Sequence, residues 1–136
     1  MSLNWSNLEN SIDQAFEFIV EEFANEQKNQ MREKKWVWLK SRYTIRKNRE
    51  IVSSPRDIVD LGYLINSLQW HNDSQFKTTY TYTMEYASIV HEGAILDNEN
   101  ETIIPARRWI TEGAVPVFQE KLANAGYLSN FISDNF

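Results

Sequence analysis

Trp5, Leu8, Ile12, Phe16, Ile19 and Phe23 recur at steps of three and four, with Ala15 and Val20 beside them. That spacing predicts an amphipathic helix from about residue 4 to about residue 30. Its opposite face is acidic. The apolar stripe is expected to cover the sheet of its own domain, a partner helix being the alternative. From Lys34 to Lys47 the period changes to two. Val37, Leu39, Tyr43 and Ile45 would share one face of a strand and read as core. Trp36, Trp38, Lys40, Arg42 and Arg46 would share the other. Two indoles among three cations fit either cation–π pairs on a solvated face or a docking surface. Asn48 suits a turn, and Ile51-Val52 would return the chain as a short strand.

Ser53-Ser54-Pro55 punctuates the chain, and Asp60 to about Leu68 reads as a short helix. Two strands follow, Leu68 to His71 and Phe76 to Met84, with a turn expected at Asn72-Asp73-Ser74. In the second, Phe76, Thr78, Tyr80, Tyr82 and Met84 share a face, and Lys77, Thr79, Thr81 and Thr83 the other. Tyr86 to Glu92 predicts one or two helical turns ended by Gly93. Ile95-Leu96 and Ile103-Ile104 flank a polar tip at Asp97–Glu101. Pro105 is expected to open a helix carrying Ala106, Trp109, Ile110, Val117, Phe118, Leu122 and Ala125. Gly113 and Pro116 interrupt it, which predicts a kink or two consecutive helices, and Gly126 would close it. The tail from Tyr127 to Phe136 keeps Leu128, Phe131, Ile132 and Phe136, an apolar set for a terminus. The order of elements is α+β: a small, mostly antiparallel sheet packed against a long N-terminal helix and a C-terminal helix, in one domain spanning residues 1–136.

Charge changes this picture. The net charge of −5 conceals six acids and no bases in residues 1–27, then nine bases and one acid in residues 28–49. Either these blocks pair within the fold or they dock between copies of the chain or with neighbours. Five Trp, six Tyr and seven Phe also suit a partner surface. The chain has no Cys, which removes disulfides and thiolate metal sites. No apolar run approaches the roughly 20 residues of a membrane span, so a soluble protein is expected.

Chemistry is hard to place on this chain. His71 and His91 stand in no ligand spacing, which argues against zinc and favours partly buried or interfacial polar roles. His91-Glu92 suggests an acid–base pair, but adjacent helical residues point in different directions. Asp97, Glu99 and Glu101 have the start of a calcium loop, which Thr102 and Arg108 then break. No phosphate-cradling or nucleophile-elbow motif is present. The expectation is a protein that is not an enzyme, with no catalytic residue, cofactor or metal. The basic stretch with Trp36, Trp38 and Tyr43 is the one feature suited to nucleic acid. A pI near 5 opposes that use and leaves a sheet-based nucleic-acid-binding module as the second reading.

Three short segments carry a family resemblance. Asp60-Leu61-Gly62-Tyr63-Leu64-Ile65-Asn66-Ser67-Leu68 resembles the D-T-G-x-L-x-x-S segment of the tail-completion and head–tail joining proteins of tailed bacteriophages. Tyr86-Ala87-Ser88-Ile89-Val90-His91-Glu92-Gly93 is similar to that family's Y-A-x-x-V-E-x-G. Pro105-Ala106-Arg107-Arg108-Trp109-Ile110 is similar to its P-A-R-P-[FW]-[LI]. Leu61 stands where the family has Thr, leaving Asp60 to cap the short helix. Arg108 replaces a Pro, and His91 falls where the family has Glu. The resemblance implies an α+β structural protein of the virion, present in the host cytoplasm during assembly. It would form a homo-oligomeric ring at the head–tail junction or tail end, against other neck or tail proteins. It marks Asp60, Gly62, Tyr86, Gly93, Pro105, Arg107 and Trp109 as architectural. Gly62 and Gly93 suit positive φ, Pro105 a helix start, and Arg107 a fork onto a carboxylate. Trp36, Trp38, Lys40, Arg42 and Arg46 remain the candidate interface.

Overall fold

A computed structural model describes residues 5–38, 44–97, 102–124 and 126–127. The architecture is α+β. Helix α1 runs from Trp5 to Arg32 over 28 residues, about 42 Å of rise. Its fully buried positions are Ala24, Gln27, Gln30 and Met31, with Ser11, Ala15, Val20 and Glu26 nearly so. The seam is therefore offset from the expected stripe. Phe16, Ile19 and Phe23 are half-buried and Ile12 is 43% exposed. Small and amide side chains form the seam because another backbone comes close there. A Cβ on Gly113 would lie 2.7 Å from Oε1 of Gln30.

The C-terminus of α1 is closed by groups both near and distant in sequence. Glu33 N–H bonds to the Asn29 carbonyl at 3.1 Å and Ile58 N–H to that of Met31 at 2.8 Å. The Trp36 indole N–H takes the Gln30 carbonyl at 2.8 Å. These satisfy carbonyls that a helix end otherwise leaves to water.

Strands β1 (Thr44–Ile45) and β2 (Ile51–Val52) form a short antiparallel ribbon. The long strand expected over Lys34–Lys47 is not what the described residues form. Trp36 makes an isolated bridge to Arg56, and the strand proper is two residues long. Helix α2 spans Tyr63–Asn66 behind Gly62, whose φ is 87°. Asp60 does not cap it. Its carboxylate instead accepts from the backbone N–H of Lys47 (3.1 Å) and Asn48 (3.0 Å), holding the β1–β2 turn.

Strands β3 (Leu68–Ser74) and β4 (Lys77–Tyr82) form a hairpin. Its turn lies at Gln75-Phe76, beyond the expected Asn72–Ser74, and Phe76 has φ 64°. Asp73 fits inside the strand because the register shifts between Asn72 and Ser74. The alternation along β4 is as expected: Thr78, Tyr80 and Tyr82 are half-buried, with Lys77, Thr79 and Thr81 exposed. The hairpin lies along α1 through Phe16–Phe76 and Phe23–Tyr80 ring contacts at 5.4 and 5.3 Å. Asn72 also donates to Glu17 at 2.6 Å.

Helix α3 (Ala87–Glu92) ends at Gly93 with φ 78°, where a Cβ would come within 2.6 Å of the Ile104 carbonyl. Strands β5 (Ala94–Asp97) and β6 (Thr102–Ile104) pair antiparallel. Pro105 does not open a helix, since the chain stays non-helical to Arg108. A π-helical turn, Trp109–Ala114, then leads into helix α4, Val115–Ala123. This is the pair of consecutive helices the interruption predicts. The Val115 N–H bonds back to Ile110, and Pro116 sits in the first turn of α4, where it needs no partner for a missing N–H. Asn124, in an extended conformation, ends α4 before Gly126. Met31, Ile58, Leu64, Ile65 and Trp109 form the core, with Tyr82, Met84 and Val90 packed on it. Lys40, Arg42, the Asn98–Glu101 tip and the tail from Leu128 lie outside the described residues.

Candidate functional site

The segments carrying the resemblance converge on one cleft. Its volume is about 590 Å³, within the range of small-ligand sites. The β1–β2 ribbon and the loop to α2 form one side, and α2, α3 and the Pro105–Arg108 segment complete it. Ile58, Leu64, Met84 and Val90 supply apolar wall, and Arg46, Lys47, Arg56 and Arg107 bring cations to it.

Each guanidinium is held differently. Arg46 has a side chain only 9% exposed. It donates through Nη1 to Asp57 Oδ1 (2.6 Å) and the Val59 carbonyl (2.5 Å), and through Nη2 to the Asp57 carbonyl (2.7 Å). Arg56 donates to the carbonyls of Ser53 (2.9 Å) and Val52 (3.0 Å) and to the Thr44 hydroxyl (2.6 Å). Its guanidinium lies over the Trp38 ring, 4.6 Å from the centroid. Arg107 approaches the same ring at 5.0 Å. Its backbone N–H bonds to the His91 carbonyl at 3.1 Å, tying the segment to α3.

Arg107 is 9% exposed, and its buried Nε has no hydrogen-bond partner among the described residues. The expected carboxylate under its fork is absent there. Burial pulls its pKa down to about 10, and the positive fields of Arg56 and then Arg46 add to the shift. Arg56 is lowered too, by burial first and by Arg46 second, with Asp57 partly opposing. Asp60 is the one carboxylate among the cleft-lining residues, and backbone N–H groups already occupy its two oxygens.

Of the five candidate interface residues, Trp36, Trp38 and Arg46 are described, and these three do not share an outward strand face. Trp36 is half-buried against the core, with Lys35 5.0 Å from its ring centroid. The cations at Trp38 come from Arg56 and Arg107, and Arg46 turns inward to Asp57. Sequence reasoning missed Arg56, whose only signal was its place beside the Ser-Ser-Pro punctuation.

Of the architectural set, Gly62 and Gly93 take positive φ and Tyr86 precedes the first turn of α3. Trp109 is 1% exposed and bonds through its indole N–H to the Tyr82 hydroxyl. His91 and Glu92 do meet, at 2.6 Å between Nδ1 and Oε1, because Glu92 is the last residue of α3. Nε2 of that ring faces the Ile110 N–H at 3.4 Å, so both ring nitrogens are engaged and the pair reads as structural. Hydrogen bonds from His91 and then Arg108 lower the Glu92 pKa.

Charge segregation survives folding. Glu9, Asp13, Glu17 and Glu21 recur every four residues along α1, and all four are exposed. Among the described residues no ion pair joins the acids of residues 5–27 to the bases of residues 28–49; Glu26 pairs with Lys121 at 3.4 Å. Arg32, Lys34, Lys35, Lys47 and Arg49 are exposed. Among the described residues no group of three His, Asp or Glu is placed to hold a metal, and no helix is long and apolar enough to cross a membrane. Compared with known proteins, the chain matches no family model, no curated protein and no solved structure.

Proposed function

We propose that the chain is a structural, non-enzymatic assembly protein: a ring subunit at the head–tail junction or tail end of a tailed phage. The observation that carries the assembly reading is a pair of oppositely charged surfaces that no ion pair among the described residues joins. An exposed acidic ridge on α1 and an exposed basic set around residues 32–49 are the two different patches a head-to-tail ring contact requires. The phage assignment itself rests on the three motif segments. Positive φ at Gly62 and Gly93 and the burial of Trp109 are the observations that support it. The protein's place would then be the virion, reached from the host cytoplasm, among other neck or tail proteins.

Two charge-reversed variants test this reading: Glu17→Lys with Glu21→Lys, and Lys34→Glu with Arg49→Glu. All four positions are exposed, so folding should survive, as circular dichroism would check. Native mass spectrometry across concentrations should show higher oligomers for the parent and fewer for each variant. An equimolar mixture of the two variants should recover alternating assemblies. Monomers throughout, together with salt-dependent retention on DNA, would replace this reading with the nucleic-acid one.

A further inference from the structure

We propose that the cleft beneath Trp38 binds an organic carboxylate, with Arg107 as its principal ligand. A guanidinium offers five N–H donors in a planar fork matched to a carboxylate. Arg46 uses its donors on Asp57 and Val59, and Arg56 uses its own on Ser53, Thr44 and Val52. Arg107 makes no side-chain hydrogen bond to any described residue, although it is nine-tenths buried and lines the cleft.

Burying an unpaired cation is costly, and two further guanidiniums in the same field raise that cost. An incoming anion relieves both penalties. Stacking against Trp38 keeps Arg107 oriented, and Arg107 is among the residues that line the cleft. The walls select the kind of anion. Ile58, Leu64, Met84 and Val90 give the cleft an apolar side, which suits an acid carrying a hydrocarbon body better than a fully hydrated phosphate. The carboxylate would come either from a free small acid or from an Asp or Glu side chain of a second copy. The site does not depend on the ring reading.

Nitrogen-15 NMR of the full chain reads the site directly through the Arg107 Nε–H and Trp38 indole N–H resonances. Hexanoate is titrated against chloride at equal ionic strength, with inorganic phosphate as a second probe. Both resonances should shift saturably at roughly millimolar hexanoate, the affinity expected of so small a ligand. Phosphate should bind about tenfold more weakly. Arg107→Gln should abolish the Trp38 shift, and Arg107→Lys, which keeps the charge and loses the fork, should weaken binding by about tenfold. Where Arg107→Gln does not fold, the parent's Nε–H resonance decides alone. Concentrating the acid-free protein separates the sources: movement of that resonance assigns the carboxylate to a second copy, and a fixed position assigns it to a free acid. Absence of any hexanoate shift, or an equal shift with chloride, overturns the proposal. Phosphate binding as tight as hexanoate would overturn its organic character.

Discussion

Trp109 donates its indole N–H to the Tyr82 hydroxyl at 3.0 Å, and the two rings meet edge to face with centroids 5.4 Å apart. Tyr82 in turn donates to Oε1 of Gln27 at 3.0 Å. Three distant elements, the π-helical turn, β4 and α1, are thus joined by one chain of polar contacts inside the core. Tyr82→Phe keeps the ring and removes the hydroxyl. The Trp109 N–H and the Gln27 carbonyl oxygen would both lose a partner in a buried setting. Urea denaturation should show a loss of about 1–3 kcal/mol, since an orphaned buried donor costs its desolvation. A loss below about 0.5 kcal/mol would mean that water reaches the gap.

The same hydroxyl predicts alkaline behaviour. Burial pushes the Tyr82 pKa up to about 12, opposed by the Trp109 hydrogen bond, and burial then the Glu17 charge do the same for Tyr80. A folded-state pKa above the unfolded value near 10 gives stability that is complete below pH 10. That stability falls as pH rises toward 12. Comparing the parent with Tyr82→Phe isolates the tyrosine. The stability gap between them should narrow between pH 10 and 12, and tyrosinate absorbance should show late-titrating residues. A constant gap would place Tyr82 in contact with solvent.

Glycine substitutions should rank by what the new Cβ meets. At Gly93, φ is 78° and a Cβ would lie 2.6 Å from the Ile104 carbonyl and 2.8 Å from the Ala106 nitrogen. Both are backbone atoms that cannot step aside. Gly93→Ala should therefore cost at least about 1–2 kcal/mol, and Gly93→Val more. At Gly113 the obstacle is Oε1 of Gln30, the end of a side chain, though one bonded to Glu26 at 2.9 Å. Gly113→Ala should lower the melting temperature by less. The reverse order would show that the α1 seam is more rigid than the β5–β6 junction.

Asp57→Ala tests the inward turn of Arg46. It removes the only carboxylate within 3 Å of that guanidinium among the described residues, Glu50 standing at 3.8 Å. Two carbonyl acceptors remain. The expected cost is about 2–3 kcal/mol, the range for a hydrogen bond to a buried charge. Little change would show that the ribbon opens and lets Arg46 reach water.

Melting in excess chelator should match melting without it, because no described cluster of His, Asp or Glu is placed to bind a metal. A chelator-induced drop would point to a site that includes residues beyond the described ones.

Local periodicity was enough to read several elements from sequence alone. The three-four spacing of Trp5 to Phe23 placed α1, and the alternation of Thr78, Tyr80 and Tyr82 placed the inner face of β4. Gly62 and Gly93 were legible because positive φ excludes most other residues. Tertiary structure decided the rest. Gln27 and Gln30 are polar, so no hydrophobic pattern could announce them as the buried seam of α1; the close approach of Gly113 to Gln30 and of Tyr82 to Gln27 goes with their burial. The alternation of Lys34–Lys47 promised a strand with an outward cationic face. A strand needs a partner along its whole length, and among the described residues of that segment only Trp36, bridged to Arg56, and β1, paired with β2, have one. Arg46 turns to Asp57, and Trp38 meets Arg56 and Arg107. A strand pattern states which side chains would share a face. Which guanidinium finds a carboxylate and which is buried without one depends on residues far apart in sequence, and that is settled only when the segments pack.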